Sequence, residues 1–261
     1  MKILSILIPN YNHSNYLPEL IETILSSGKI AYIKIIVIDG GSKDGFYEKV
    51  STCLKYIDIV ISEPDLGQAN AINKGLKYVD TKYWIWQNSD DLFFPKGLSR
   101  LVEVLSTSQN FDLLQCMTFL KNENGLNPIP LVFLPKFLSE YRPYCLNNQS
   151  LVFNSNLVTC FDENLYYAFD LKLFKDLLKC YHVKISFIQL GIYRSHDDTK
   201  TRKHINILRD EMKKIGHKYG VDKKALLLNI LARLVDLVLL VFVSPKVFTL
   251  NAKALLQRKP W

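Results

Sequence analysis

The sequence predicts an α/β domain built on a mostly parallel sheet flanked by helices, and three observations carry that expectation. Short, continuously apolar, β-branched runs recur through the first hundred residues, as buried parallel strands require. Segments with apolar residues at helical spacing lie between them. The run Tyr83–Trp86 leads within a few residues to two adjacent carboxylates, Asp90 and Asp91. A parallel layout places such a pair at the carboxyl edge of the sheet, where open α/β sheets bind their ligands.

The elements follow in order. Ile3–Ile8 and Lys34–Asp39 read as strands. Between them Leu17, Leu20, Ile21, Ile24 and Leu25 form a helical face, with Ser14 or Asn15 as cap and Gly28 as stop. Phe46, Val50 and Leu54 mark a second helix, capped by Ser42 or Asp44, and Ile57–Ile61 is the next strand. After the Pro64-Asp65 turn, Ala69, Ile72, Leu76 and Val79 repeat at i, i+3, i+7 and i+10 and give a third helix, followed by the strand Tyr83–Trp86. Repeated strand–helix–strand units imply a sheet covered on both faces. Beyond Phe111, strand-like runs at Asp112–Phe119, Pro130–Leu134, Gln149–Phe153 and Val183–Leu190 are interrupted by turns such as Asn122-Glu-Asn-Gly125, which predicts a mixed second half.

Composition narrows the function. The chain has 261 residues, 48% of them hydrophobic, enough for one large domain with an appendage. Cys53, Cys116, Cys145, Cys160 and Cys180 are odd in number and scattered, with no CxxC pair. That argues against a disulfide framework or a zinc cluster and for a reducing, cytoplasmic setting. The N-terminal apolar run is too short for a signal peptide and ends at Pro9. The net charge of +8 is uneven: residues 200–261 carry 14 Lys/Arg and 4 Asp/Glu, whereas residues 1–199 carry 19 and 21. A nearly neutral body weakens a nucleic-acid reading.

Residues 201–219 read as a basic helix with Ile205, Leu208, Met212 and Ile215 on one side. Ala225–Val243 is intensely apolar, about 19 residues or roughly 28 Å as a helix. Its polar residues Asn229, Arg233 and Asp236 form one narrow stripe. Arg and Asp at the centre of a spanning helix cost several kcal/mol, whereas an interfacial helix turns the stripe to water or headgroups. Lys246, Lys253, Arg258 and Lys259 suit an anionic leaflet. The expectation is a peripheral helix on the inner membrane face; packing on its own domain, pairing as a homo-oligomer, and spanning are the alternatives.

Four segments in register carry a resemblance: Ser5-Ile-Leu-Ile-Pro-Asn-Tyr-Asn12, Ile35-Ile-Val-Ile-Asp-Gly-Gly-Ser-Lys-Asp-Gly45, Ser62-Glu-Pro-Asp-Leu-Gly-Gln-Ala-Asn-Ala-Ile-Asn-Lys-Gly75 and Asn88-Ser-Asp-Asp91. In order, they look like the motifs of family 2 glycosyltransferases with the GT-A fold, and the similarity runs from residue 3 to about residue 219. The resemblance implies a Rossmann-like domain over residues 1–199, with 1–100 holding the nucleotide-sugar and 101–199 the acceptor, and a helical extension over 200–261. It further implies inverting transfer of a hexose or N-acetylhexosamine from a UDP-sugar, with Mn²⁺ or Mg²⁺, to a glycan or lipid-linked acceptor of cell-surface polysaccharide.

The residue chemistry stands beside that resemblance. Two close carboxylates repel unless a hard cation sits between them, and such a cation takes its other ligands from phosphates and water. Asp91 is assigned to the metal and Asp90 to the ribose or a metal-bound water. Asp39, at a strand end, suits the imide N–H of uracil, or a cap for the next turn. Tyr11, after strand one, suits stacking on a base, or is an ordinary half-buried tyrosine. By likeness to the family, Pro9, Asn12, Gly41, Asp65, Gly67, Asn73 and Asn88 line the donor site, and Gln149 lies near the donor sugar. Asn70 stands where many relatives carry an acid.

Inverting transfer needs a general base, and Phe161-Asp-Glu-Asn-Leu-Tyr-Tyr-Ala-Phe-Asp-Leu-Lys-Leu-Phe-Lys175 resembles the family segment that bears it. That places the base at Asp170, which also fits a helix N-cap; Asp162 and Glu163 compete. Gly191-Ile-Tyr-Arg-Ser-His-Asp-Asp-Thr199 looks like the family's closing segment, which implies that Arg194 and His196 meet the diphosphate, or that His196 joins the metal; a structural histidine is the alternative. His13, His182, His204 and His217 show no metal-ligand spacing. A non-catalytic nucleotide-sugar-binding or scaffolding partner and a nucleotidyltransferase are the other classes. The second would want a basic glycine-rich loop where Asn10-Tyr-Asn-His13 stands.

Overall fold

The computed structural model describes residues 1–107, 110–123, 125–129, 146–157, 159–194 and 205–216. The expected strand at Pro130–Leu134, Cys145, His196 and the apolar helix at Ala225–Val243 lie outside these residues.

Among the described residues, nine strands form one sheet. They are β1 (Leu4–Asn10), β2 (Ile33–Asp39), β3 (Ile59–Ser62), β4 (Tyr83–Trp86), β5 (Leu92–Phe93), β6 (Leu113–Asn122), β7 (Gly125–Ile129), β8 (Leu151–Asn154) and β9 (Val183–Arg194). The order is β3-β2-β1-β4-β8-β6-β9-β5, with β7 paired to β6. Strands β3, β2, β1 and β4 are all parallel. The expectation of a mostly parallel sheet therefore holds for the first half, and the mixed second half expected beyond Phe111 follows it. β8 runs antiparallel to both β4 and β6, β7 is antiparallel to β6, and β5 to β9; β6 and β9 are parallel. The physical reason is connection length. The Asn122–Gly125 turn closes a β6–β7 hairpin, whereas a parallel neighbour requires a crossover of a dozen or more residues.

Helices α1 (Leu17–Leu25), α2 (Phe46–Val50), α3 (Gln68–Leu76), α4 (Pro95–Ser106), α5 (Phe169–Cys180) and α6 (Ile205–Lys214) cover the sheet. Alternation along β1 sorts the two faces. Leu4, Ile6 and Ile8 pack with α1, α2 and α4, while Leu7 packs with α3, α5, Trp84 and Trp86 on the other side. The second core is aromatic: Trp86 lies 5.2 Å from Phe161 edge to face, 5.8 Å from Phe169 and 6.5 Å from Phe174. Such pairs add about 0.5–1.5 kcal/mol each beyond burial, and they fasten the segment carrying Asp170 to the strand that leads to Asp90.

Two expected caps are replaced. α1 begins at Tyr16 with no side-chain cap and with proline in its first turn, so neither Ser14 nor Asn15 caps it. α2 begins at Gly45, whose φ of 81° opens the turn. Asp44 instead accepts the backbone N–H and hydroxyl of Ser14 at 2.9 and 2.8 Å, joining the β1 and β2 loops. α4 and β5 lie outside the expected elements, although Pro95 and the buried Leu98, Leu101, Val102 and Leu105 supply a helix start and period.

Candidate active site at the strand ends

The strand order β3-β2-β1-β4 reverses at β1, with β2 and β3 on one side of it and β4 on the other. The crevice at such a reversal is where doubly wound sheets bind ligands. Registers align Asn10 with Asp39 and Asp39 with Ser62, so the polar ends of three strands finish side by side.

Asp39 is fully buried. Its Oδ1 accepts from Asn10 Nδ2 at 2.8 Å and from the Ser42 hydroxyl; its Oδ2 accepts from the Ser42 N–H at 3.0 Å and the Ser62 hydroxyl at 2.8 Å. Four donors make it the knot of the β1, β2 and β3 ends, and a ligand N–H reaches it only by rotating a serine hydroxyl aside. It holds the turn after β2, as the capping alternative anticipated. The Asn10 Nδ2 also meets Ser14 and Ser42, which fixes the amide orientation and leaves its buried Oδ1 without a donor. Pro9 is buried within β1.

Above this knot the surface opens. Tyr11 is 59% exposed. A methyl group built on Gly40 would sit 2.4 Å from Asp65 Oδ2 and 3.2 Å from the Tyr11 ring, so only a bare backbone fits between them. Gly41, at φ 76°, passes under Pro64. Asn12 donates its N–H to Ser42 Oγ and accepts from Lys43 N–H, both at 2.8 Å. Gly67, the residue before α3, donates its N–H to Asp65 Oδ1 at 2.8 Å. Tyr11, Gly40, Gly41, Asp65 and Gly67 therefore share one rim.

The acidic pair lies across the crevice. Asp91 is 0% exposed. Its Oδ1 accepts the Arg194 backbone N–H at 3.0 Å; its Oδ2 accepts Asn88 Nδ2 at 3.1 Å and Gln149 Nε2 at 3.2 Å. Burial, and then the adjacent Asp90 charge, hold its carboxyl well above the ordinary carboxylate range. Asn88 Oδ1 is fixed in turn by Gln68 at 2.7 Å and the Trp86 indole at 2.9 Å. Arg194 donates through Nε to the Asp90 carbonyl, pairs through Nη1 with Glu19, and lies 5.0 Å over the Tyr16 ring. Among the described residues its buried Nη2 has no acceptor.

A divalent cation fits this donor chemistry, because two hard carboxylates share a site and one of them is raised by burial and then by its neighbour's charge. Among the described residues no three His, Cys, Asp or Glu side chains gather as a ligand cluster. Phosphate oxygens and water would therefore complete the shell.

The sequence-predicted residues fall into two groups. Asn88, Asp90, Asp91, Gln149 and Arg194 are brought together on one side, and Tyr11, Asn12, Asp39, Gly41, Asp65 and Gly67 on the other. Asn73 stands apart: its side chain bonds both backbone groups of Phe161 at 2.9 Å and the Glu163 carboxylate at 2.7 Å. Asn70 also donates to Glu163 at 2.8 Å, so that carboxylate comes from the other half of the chain. Hydrogen bonds from Asn73 and then Asn70 hold Glu163 below its usual range. Asp170 sits in the first turn of α5, half-buried, and Ala168 rather than Asp170 is the cap position. Sequence reasoning missed His13, whose Nδ1 lies 3.8 Å from Asp90 Oδ2. It also missed Tyr16 and Glu19; only the fold brings these together.

Comparison with known proteins agrees with this architecture. The family model described as Glycosyl transferase family 2 matches residues 5–170. An uncharacterized glycosyltransferase of Rickettsia typhi is 26% identical over 224 residues, covering 80% of this chain and 69% of the relative. One of Rickettsia prowazekii is 32% identical over 114 residues, covering 43% of this chain and 35% of its own. Among solved structures, S. aureus TarS superposes with a TM-score of 0.62 at 16% identity, covering 86% of this chain and 41% of its own. A mannosyltransferase of Pyrobaculum calidifontis gives 0.61 at 14%, covering 98% and 76%. The chain thus spans about a third of one Rickettsia relative and less than half of TarS. The fold is the GT-A fold, and the chain belongs to glycosyl transferase family 2 as a glycosyltransferase.

Proposed function

We propose that the protein is a metal-dependent, inverting transferase. It moves a hexose or N-acetylhexosamine from a UDP-sugar to a hydroxyl of a glycan or lipid-linked acceptor in cell-surface polysaccharide synthesis, at the inner face of the membrane. The observation that carries this reading is Asp91, enclosed beside Asp90 and held protonated-prone by its burial and then by that neighbour, at the switch point of the sheet. Asp90 and Asp91 would hold Mn²⁺ or Mg²⁺, which would supply the charge that neutralises the leaving group. Asp90 contacts the ribose or a metal-bound water, and the unpartnered Arg194 Nη2 faces phosphate oxygen. Tyr11, beside Asp65, takes the base. Gln149 lies against Asp91 where the donor sugar meets the diphosphate.

The reaction then follows from positions. The acceptor oxygen attacks the anomeric carbon, the bond from that carbon to the β-phosphate oxygen breaks with its electron pair leaving on UDP, and the acceptor proton passes to the Asp170 carboxylate. Solved relatives support the donor class: TarS has been crystallised with UDP and with UDP-GlcNAc, and the Pyrobaculum enzyme with GDP-Man and Mn²⁺. A lipid-linked acceptor is supported by a relative described as a processive diacylglycerol beta-glycosyltransferase of Mycoplasma pneumoniae, 24% identical over 195 residues. The basic, apolar stretch of residues 200–261 points the same way. Among the described residues no helix is long and apolar enough to cross a membrane.

The test is UDP release from a panel of UDP-hexoses and UDP-N-acetylhexosamines with Mn²⁺, on wild type and Asp170→Asn. Loss of a general base lowers kcat by about 10²–10⁴-fold while UDP affinity stays near wild type. Full turnover in Asp170→Asn removes it as base, and no release with any UDP-sugar removes the donor assignment.

A further inference from the structure

α6 lies beyond residue 170, where the family match ends, yet it supplies one of the most enclosed carboxylates of the protein. Glu211 is 7% exposed. Its Oε1 accepts the Tyr166 N–H at 2.9 Å, and its Oε2 accepts the N–H groups of Tyr167 and Ala168, each at 2.8 Å. Three successive backbone donors therefore converge on a single anion, an arrangement whose charge-assisted bonds are about twice as strong as neutral ones. Ala168 is the cap position of α5 and has no side-chain cap of its own. Glu211 thus holds the turn that leads into α5 from 43 residues downstream.

The rest of the contact fixes the angle at which Glu211 arrives. Leu208 and Met212 pack on Ala168 and Leu171, and Lys175 donates to the carbonyls of Ile215 and Gly216 at 2.9 and 3.3 Å. α6 is held at both ends against the first turns of α5. The turn it grips is also functional ground. The Tyr166 ring closes over Gly67, where an added methyl would sit 3.2 Å from the ring, and Asp170 follows Ala168 by two residues.

We infer that Glu211 is a positioning residue for transfer. By holding the Tyr166–Ala168 turn, it sets Asp170 at the angle needed to take the acceptor proton, and it makes the segment after residue 200 part of the working site. This inference rests on the assignment of Asp170 as base. It is tested by Glu211→Ala, Glu211→Gln, Asp170→Asn and the double variant Asp170→Asn/Glu211→Ala in the full chain. Thermal melts and UDP titration accompany steady-state rates. Misplacing a reacting group by about 1 Å costs on the order of 10²-fold, so Glu211→Ala is expected to lower kcat by about 10–100-fold with UDP affinity unchanged. Glu211→Gln keeps an oxygen for Tyr167 and Ala168 and is expected to fall between.

The double variant distinguishes positioning from mere folding. If Glu211 acts through Asp170, Asp170→Asn/Glu211→Ala is no slower than Asp170→Asn, a non-additive result. Additive losses, or a kcat loss matched by loss of UDP binding, overturn the inference. Should Glu211→Ala fail to fold, a folded Glu211→Gln with wild-type kcat overturns it and one with reduced kcat supports it. Wild-type turnover in Asp170→Asn overturns the base assignment and, with it, this role.

Discussion

Gly191 offers the sharpest test of how the acidic pair is held. It lies in β9, three residues before Arg194, and a Cβ there would sit 2.2 Å from the Gln149 carbonyl oxygen, 2.7 Å from its carbon and 2.8 Å from its Cβ. Ordinary contact begins near 3.4 Å, and the oxygen and carbon belong to the backbone, so the Gln149 segment must retreat by roughly 1 Å in Gly191→Ala. Overpacking of this kind costs about 1–3 kcal/mol. The retreat also breaks the 3.2 Å bond from Gln149 Nε2 to Asp91 Oδ2. Displacement on that scale beside reacting groups costs on the order of 10²-fold in rate. Urea unfolding and UDP-release kinetics read the two effects separately. A variant with wild-type midpoint and turnover would show that the Gln149 segment and Asp91 are not mechanically coupled.

Two other expectations follow from ionisation and from the clasp between the halves of the domain. Asp91 is raised above its ordinary 3.8 by burial and then by Asp90. Without metal its contribution to stability is therefore fully present below that value and is lost as pH rises through the folded pKa. Mn²⁺ displaces the proton, so its affinity should tighten by up to about tenfold per pH unit below the folded pKa and level off above it. At 100 times its dissociation constant the metal adds about 2.7 kcal/mol, or roughly 5–10 °C in Tm for a chain of this size. A pH-independent shift, or one retained in Asp91→Asn, refutes that account. Asn73→Ala removes the partner of both Phe161 backbone groups, and an orphaned donor costs about 1–3 kcal/mol. An unchanged urea midpoint would mean the Phe161–Glu163 segment is held without it.

What the sequence disclosed was local. Asp39 and the Asp90–Asp91 pair are legible because each ends or follows a buried apolar run, and a charge there lies at a sheet edge whatever the rest of the chain does. The helix on Ala69, Ile72 and Leu76 is legible because the period is complete. What stayed hidden depends on distant residues meeting. His13 has no ligand spacing in sequence, yet approaches Asp90 from 77 positions away. Asn70 reads as a lost acid until Glu163 arrives beside it from the second half. Asp170 fits an N-cap locally, and only the fold shows that it lies within the first turn of α5, accepting the Leu171 N–H at 2.7 Å, while Glu211 grips the turn before the helix. The second half was legible as mixed but not strand by strand, since short apolar runs look alike in either direction.

The charges around the pair lead to one further step. Arg194 brings a guanidinium to the Asp90 carbonyl, but Glu19 holds its Nη1, so this cation is already partly spent before any phosphate arrives. His13 approaches Asp90 only at 3.8 Å. A nucleotide diphosphate entering here meets carboxylates that repel it, and the single unpartnered guanidinium nitrogen of Arg194 is a small offset. Binding of donor and of divalent cation is then one linked process: each supplies the charge the other lacks, and by reciprocity each must raise the other's affinity by the same factor.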